Sequence, residues 1–143
     1  MPPVAPGGRI AFSWWDRSDR QRIQGLIREA VAEVGAPPPA EVPQAHSTLR
    51  FCDPAEFRRL LDGAGLEDVT LHDHGATHLV ADVDALWRGA TGGMALTSSL
   101  IVHQDAATQA AIRAALERRA AVYKTDQGLE LPIAFRIGAG RKR

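Results

Sequence analysis

Residues 10–15, Ile-Ala-Phe-Ser-Trp-Trp, are extended-type residues with no charge on either face of a strand, and the Pro6-Gly7-Gly8 turn leads into them. Such a run predicts a buried strand, of the kind that lies within a sheet covered by helices on both sides. Ser18-Asp19-Arg20-Gln21 then has the form of a capping box, with Ser18 as cap and Gln21 reaching back. Ile23, Leu26, Ile27, Ala30, Val31 and Val34 recur at spacings of three and four, which predicts a helix with one buried stripe. Gly35 and the prolines 37–39 stop it, and the proline-rich residues 36–47 read as a lid-like loop or a linker.

The pattern resumes at Asp53-Pro54-Ala55-Glu56, where Asp caps and Pro takes the first helical position. Phe57, Leu60, Leu61 and Ala64 form the expected inner face, and Gly65 ends the helix. Val69 and Leu71 alternate with Thr70 and His72, predicting a half-buried strand over 66–74, with 77–81 as an extension or a short return strand. A third helix spans about 83–90 with Val83, Leu86, Trp87 and Ala90 inward, residues 96–103 carry no clear period, and a fourth helix spans about 106–123. Its inward positions are Ile112, Ala115, Leu116, Val122 and Tyr123. A last strand over 129–137 sets Leu131, Ile133, Phe135 and Ile137 on one face, with Pro132 near its start. The fold class is therefore α/β, with about three main strands and four or more helices in a single domain over residues 1–143.

Composition narrows the functional classes. With 143 residues, 45% hydrophobic and 24% charged, the chain can bury a real core. Seventeen basic residues balance seventeen acidic ones, so no global field directs it to nucleic acid or to anionic lipid. Cys52 is the single cysteine and cannot form an internal disulfide; with no leader-like segment and no membrane-length apolar run, a cytoplasmic location is expected. Fifteen of the seventeen basic residues are Arg, a usage typical of GC-rich bacterial genomes.

Four stretches in order, "PGGRIAFSWW", "DPAEFRRLLDGAGLEDVTL", "DVDALWRGAT" and "YKTDQGLELPIAFRIGAG", make the chain resemble the C-terminal half of a class I S-adenosylmethionine-dependent methyltransferase. The similarity is to the small-molecule enzymes of the ubiquinone/menaquinone-biosynthesis type, and it covers residues 5–140, with Leu66 in place of the usual aromatic after Gly65. It implies a truncated Rossmann-like half in which strands five, seven and six lie side by side in that order. It also implies that the Gly-rich loop and acidic residue that hold the cofactor belong to the missing half. Gly7-Gly8 precedes a strand and Gly138-Ala139-Gly140 has no helix behind it, so neither reads as a phosphate cradle. No cofactor is expected for the isolated chain; S-adenosylmethionine enters only if a partner supplies the missing half. The strand over 10–15 is left with an unpaired edge, for which a homodimer or a complementary half is the expected partner.

The candidate site residues follow from these placements. Trp14 and Trp15 close the first strand at its carboxyl end, where α/β proteins place ligands; they either fill space or line a cavity. His46, in the loop before Arg50 and Phe51, is the candidate general acid or base, and Asp16 is either a helix-entry residue or an acid beside the tryptophans. Arg50, Phe51 and Trp87 complete the expected substrate pocket. His72, His74 and His78 read as a solvated polar strand face and no metal is expected. Cys52 has no nucleophile pattern around it.

The resulting expectation is a methyltransferase-like protein that binds an apolar small molecule in a biosynthetic, natural-product setting. Its chemistry would be cofactor-independent cyclisation or isomerisation, by holding the substrate in a reactive conformation. The rivals are a subunit of a split methyltransferase and a non-enzymatic interaction module.

Overall fold

A computed structural model describes residues 4–38 and 49–143. In chain order it contains β1 (Arg9–Trp15), α1 (Arg22–Val34), α2 (Pro54–Gly63), β2 (Leu66–Val80) and α3 (Val83–Gly92). These are followed by α4 (Ala95–Val102), α5 (Ala106–Ala120), β3 (Lys124–Thr125) and β4 (Gly128–Lys142). Among the described residues the class is α/β, with five helices and four antiparallel strands; the sheet order is β1-β4-β2, and β3 also pairs with β4. Two compact units divide the chain: Met1–Arg17, His46–Gly75 and Ala134–Arg143 form one, Ser18–Ala45 and Ala76–Ile133 the other.

In the first unit β1 lies antiparallel to β4, with Ile10 opposite Gly140, Phe12 opposite Gly138 and Trp14 opposite Arg136. Helix α2 starts as its sequence dictates: the Asp53 carboxylate accepts the Ala55 N–H at 2.8 Å and Pro54 follows the cap. Phe57 and Leu61 are fully buried, whereas Leu60 and Ala64, expected inside, are exposed. The apolar stripe is narrower than its period suggests. Glycine makes the approach to β4 possible: a Cβ on Gly138 would lie 2.6 Å from Leu61, 3.0 Å from Leu71 and 3.1 Å from Phe57. The covered face of β4 in this unit is accordingly Ala134, Arg136, Gly138 and Gly140, all buried, while Phe135 and Ile137 of the expected core face are only half-buried; in the other unit Leu131 of that face is buried and Ile133 half-buried. Helix packing selects the small-residue face because only there can the backbones come close.

β1 also departs from expectation. Ala11, Phe12, Ser13 and Trp15 are exposed, so the strand is not sandwiched between helices; it is an edge strand with β4 as its neighbour. An uncharged sequence signals burial, but an edge position with an open face leaves such residues in contact with water.

The second unit is built on helices. Leu26, Ile27, Ala30 and Val31 of α1 join Ile112, Ala115, Leu116 and Ala120 of α5, with Leu86 and Ala90 of α3, Ile101 of α4, and Leu129 and Leu131 of β4. Trp87, Val83 and Tyr123 pack against this core from its margin, whereas Val122, expected inside, is 81% exposed because α5 ends at Ala120 and a 3-10 turn redirects the chain. The cap of α1 is Gln21 rather than Ser18: the Gln21 side-chain oxygen accepts the Gln24 N–H at 2.9 Å, and the Ser18 carbonyl accepts from Arg22. Gly35 closes the helix in the left-handed conformation at φ 69°. Residues 96–103, without a clear period, lie largely in α4, and Asp82 and Asp105 cap α3 and α5. At the β3–β4 hairpin Gly128 adopts φ 136°, and a Cβ there would fall 2.4 Å from the Val80 carbonyl oxygen, so only glycine fits.

Most of the proline-rich loop at 36–47 lies outside the described residues. No helix among the described residues is long and apolar enough to cross a membrane.

Candidate functional site

The functional geometry of the first unit centres on Arg136, which sequence reading did not single out. It is only 7% exposed, a charged side chain on the face of β4 that α2 covers. Its guanidinium donates to both carboxylate oxygens of Asp73 on β2, the second at 3.1 Å, and to the Cys52 carbonyl at 2.9 Å. The Asp73 hydrogen bonds, with the nearby charges of Asp73 and Asp16, raise the Arg136 guanidinium above its ordinary pKa against the opposing effect of burial. Three of its N–H directions are thus engaged, and the arginine fastens β4 to β2 and to the turn before α2. The one signal that could have found it is a cation on a strand whose other inward positions are Ala and Gly.

An aromatic wall stands beside this fastening. Trp14, the cross-strand neighbour of Arg136, meets Phe51 edge to face with ring centres 5.1 Å apart, and Phe51 leans on buried Phe57 at 6.1 Å. Arg50 lies over the Phe51 ring at 5.3 Å and pairs with Glu56 at 3.1 Å. The 3-10 turn at Arg50–Cys52 places these groups, held by the Cys52 N–H to Leu49 carbonyl bond and by the Cys52 thiol, which donates to the Trp15 carbonyl at 3.2 Å.

On the opposite face Trp15 meets Phe135 edge to face at 6.2 Å, and His74 stacks on the same ring at 5.4 Å. Ser13, Trp14, Trp15 and Phe135 line an open cleft of about 250 Å³. The cleft is large enough for part of a flat ring system, and its lining favours stacking over hydrogen bonding.

The expected site residues separate accordingly. Trp14, Trp15, Arg50, Phe51 and Asp16 all fall in the first unit. Asp16 is 8% exposed, accepts the Arg17 N–H at 2.8 Å and donates its own N–H to the Ala134 carbonyl. It does not cap α1, and its charge supports Arg136. Trp87 belongs to the second unit, half-buried on the helical core. His46, the candidate acid–base group, lies outside the described residues. His72, His74 and His78 are exposed on β2, and among the described residues no three His, Cys, Asp or Glu side chains gather in a way that could hold a metal ion.

The second unit has its own cleft, of about 340 Å³, bordered by Asp82, Asp84, Glu117, Lys124 and Gly128 among others. Two of its carboxylates are already engaged, Asp82 in capping α3 and Asp84 in pairing with Arg113. Within α1 Glu29 pairs with Arg22 at 2.7 Å; across the α1–α5 seam it pairs with Arg119 at 3.1 Å, while Glu33 pairs with Arg118 at 2.6 Å and Arg119 at 2.8 Å. Arg22 also donates to the Tyr123 hydroxyl at 2.9 Å. This network is structural in character: it ties the end of α5 to α1.

No protein-family model matches the chain, and no curated protein sequence matches it.

Proposed function

We propose that this chain is the substrate-side half of a class I methyltransferase-like fold and binds a flat, largely apolar small molecule in the cleft lined by Trp14, Trp15 and Phe135. The observation that carries this reading is the position of the aromatic groups. Trp14, Trp15 and Phe135 converge on one cleft at the carboxyl end of β1, and the Arg136–Asp73 pair ties β4 to β2 beside them. The sheet order β1-β4-β2, with β1 antiparallel to β4, supports the fold part of the reading, since it is the side-by-side order that the methyltransferase resemblance implies for strands five, seven and six.

Among the described residues, the glycines at 7–8 and at 138 and 140 are engaged in turn and packing roles, which supports reading them as structural. Gly7 and Gly8 serve the turn into β1, where Gly7 donates to the Lys142 carbonyl and Gly8 accepts from the Lys142 N–H. Gly138 and Gly140 are occupied in packing, with Leu61, Leu71 and Leu66 where a side chain would stand. No methyl-transfer step is routed through this chain alone. Its contribution to chemistry is positional: rigid rings confine a substrate in one conformation, which favours cyclisation or isomerisation by cutting the entropy of reaching the reactive geometry.

Among the described residues β1 pairs with a strand on one side, β4, which favours a second reading, a subunit of a split methyltransferase whose other half supplies a neighbouring strand and the cofactor loop. The 250 Å³ cleft weighs against a module that serves only as an interaction surface.

Titration calorimetry of the chain with S-adenosylhomocysteine, beside fluorescence titration with a neutral naphthoquinone, tests the proposal. The expected result is quenching by the quinone without heat from the nucleoside. Trp15→Leu and Phe135→Leu should each weaken the quinone by roughly tenfold, about 1.4 kcal/mol. Stoichiometric binding of S-adenosylhomocysteine would overturn the reading that this chain has no cofactor site.

A further inference from the structure

We propose that Ser13 selects what the aromatic cleft takes: a flat, neutral ring with an oxygen acceptor at its rim, such as a ring carbonyl, to which the Ser13 hydroxyl donates. This rests on the reading that the cleft binds a flat, largely apolar molecule, and it names the polar atom that such a molecule carries.

Side-chain alternation along β1 sets Ser13 and Trp15 on one face of the sheet and turns Trp14 to the other, where its ring meets Phe51. In the register with β4, Trp15 lies opposite Phe135 and Ser13 opposite Ile137, so Phe135 is the direct neighbour of Trp15 and the diagonal neighbour of Ser13. These three side chains share the cleft of about 250 Å³. Trp15 and Phe135 already meet edge to face, with ring centres 6.2 Å apart, so no third ring passes between them. The room lies on the Ser13 side, where a small side chain stands beside two large ones.

The chemistry of this lining is one-sided. Ser13 is the one polar residue of the run 10–15, and its exposed hydroxyl has no hydrogen-bond partner among the described residues. A hydroxyl can donate or accept, an indole N–H only donates, and a phenyl ring does neither. Among the described residues no carboxylate, amide or cationic side chain lines the cleft. A neutral acceptor therefore finds a donor there, whereas an ionised group would give up water without meeting a counter-charge. His74 is placed differently. β4 lies between β1 and β2, so His74, stacked on Phe135 at 5.4 Å with the planes 20° apart, backs that ring from the β2 side, and the cleft opens on the β1 side.

Two substitutions separate the hydroxyl from the space beside it. Ser13→Ala keeps the room and removes the donor, and Ser13→Leu fills the room. The probes are the naphthoquinone, read by fluorescence titration, and naphthalene, the same double ring without oxygens, read by its displacement of the quinone. Ser13→Ala should weaken the quinone by roughly fivefold, the worth of one neutral hydrogen bond, and leave naphthalene within about twofold. Ser13→Leu should weaken the quinone by roughly tenfold or more. An unchanged quinone affinity in Ser13→Ala, or an equal loss for quinone and naphthalene, overturns the role of the hydroxyl and leaves the ligand reading standing. A Ser13→Leu chain that binds the quinone as tightly as the unaltered chain overturns the placement of the ring beside Ser13. Failure of the unaltered chain to bind either molecule overturns the ligand reading, and this proposal with it.

Discussion

Arg136 and Asp73 are unequal partners, and the inequality is measurable. The arginine side chain is 9% exposed and the carboxylate 49%. Removing the arginine returns Asp73 to water at small cost, whereas removing Asp73 leaves a buried cation that keeps the Cys52 carbonyl and the nearby Asp16 charge but loses both of its carboxylate hydrogen bonds. Asp73→Ala should therefore destabilise by about 3 kcal/mol and Arg136→Met by only about 1 kcal/mol, read as urea midpoints at constant slope. The reverse order would mean that Arg136 contributes through packing and not through its charge. The same asymmetry explains why the residue escaped sequence reading: a cation in a strand is ordinarily solvated, and only the carboxylate brought in from β2, some sixty residues away in the chain, makes its burial affordable.

At the scale of elements, α1 and α5 are joined by apolar packing and by the Glu29–Arg22–Arg119–Glu33 network. The hydrogen bond from Arg22 draws the Glu29 carboxyl below its ordinary 4.5, against some desolvation and with help from the Arg119 charge. A depressed carboxyl contributes stability that is complete above its unfolded value and is lost as the pH falls through the folded one. Chemical denaturation should thus show stability falling below about pH 4.5, with a flatter acid limb in Glu29→Gln. An unchanged acid limb would assign the seam to packing alone. Helix ends were partly legible beforehand. Asp53-Pro54 and Gly35 act as their local chemistry dictates, while the α1 cap passed from Ser18 to Gln21 because the Ser18 carbonyl is held instead by the Arg22 side chain.

For the whole molecule, the balance of seventeen basic and seventeen acidic residues leaves little net charge near pH 7, so long-range repulsion between copies is weakest there. Any self-association seen by sedimentation at pH 7 should therefore change by less than about threefold between low salt and 0.5 M salt, because little net charge is left to screen. A steep salt dependence would point instead to complementary charged surfaces between copies.

The amino-acid sequence by itself determined the α/β class, most of the helices, the carboxyl-terminal position of Trp14 and Trp15 on β1, and the solvated character of the histidine strand. These follow from periodicity, caps and turns, which are local in the chain. Tertiary structure alone decided which face of each strand is covered. Periodicity put Phe135 and Ile137 inside, but α2 lies on the Gly138–Gly140 face, because close approach of a helix to a strand depends on the residues of both. It also decided that Trp87 stands in a different unit from Trp14 and Phe51, and that Arg136 is buried. Burial and the meeting of charges depend on contacts between distant segments, and a one-dimensional pattern does not encode which segments meet.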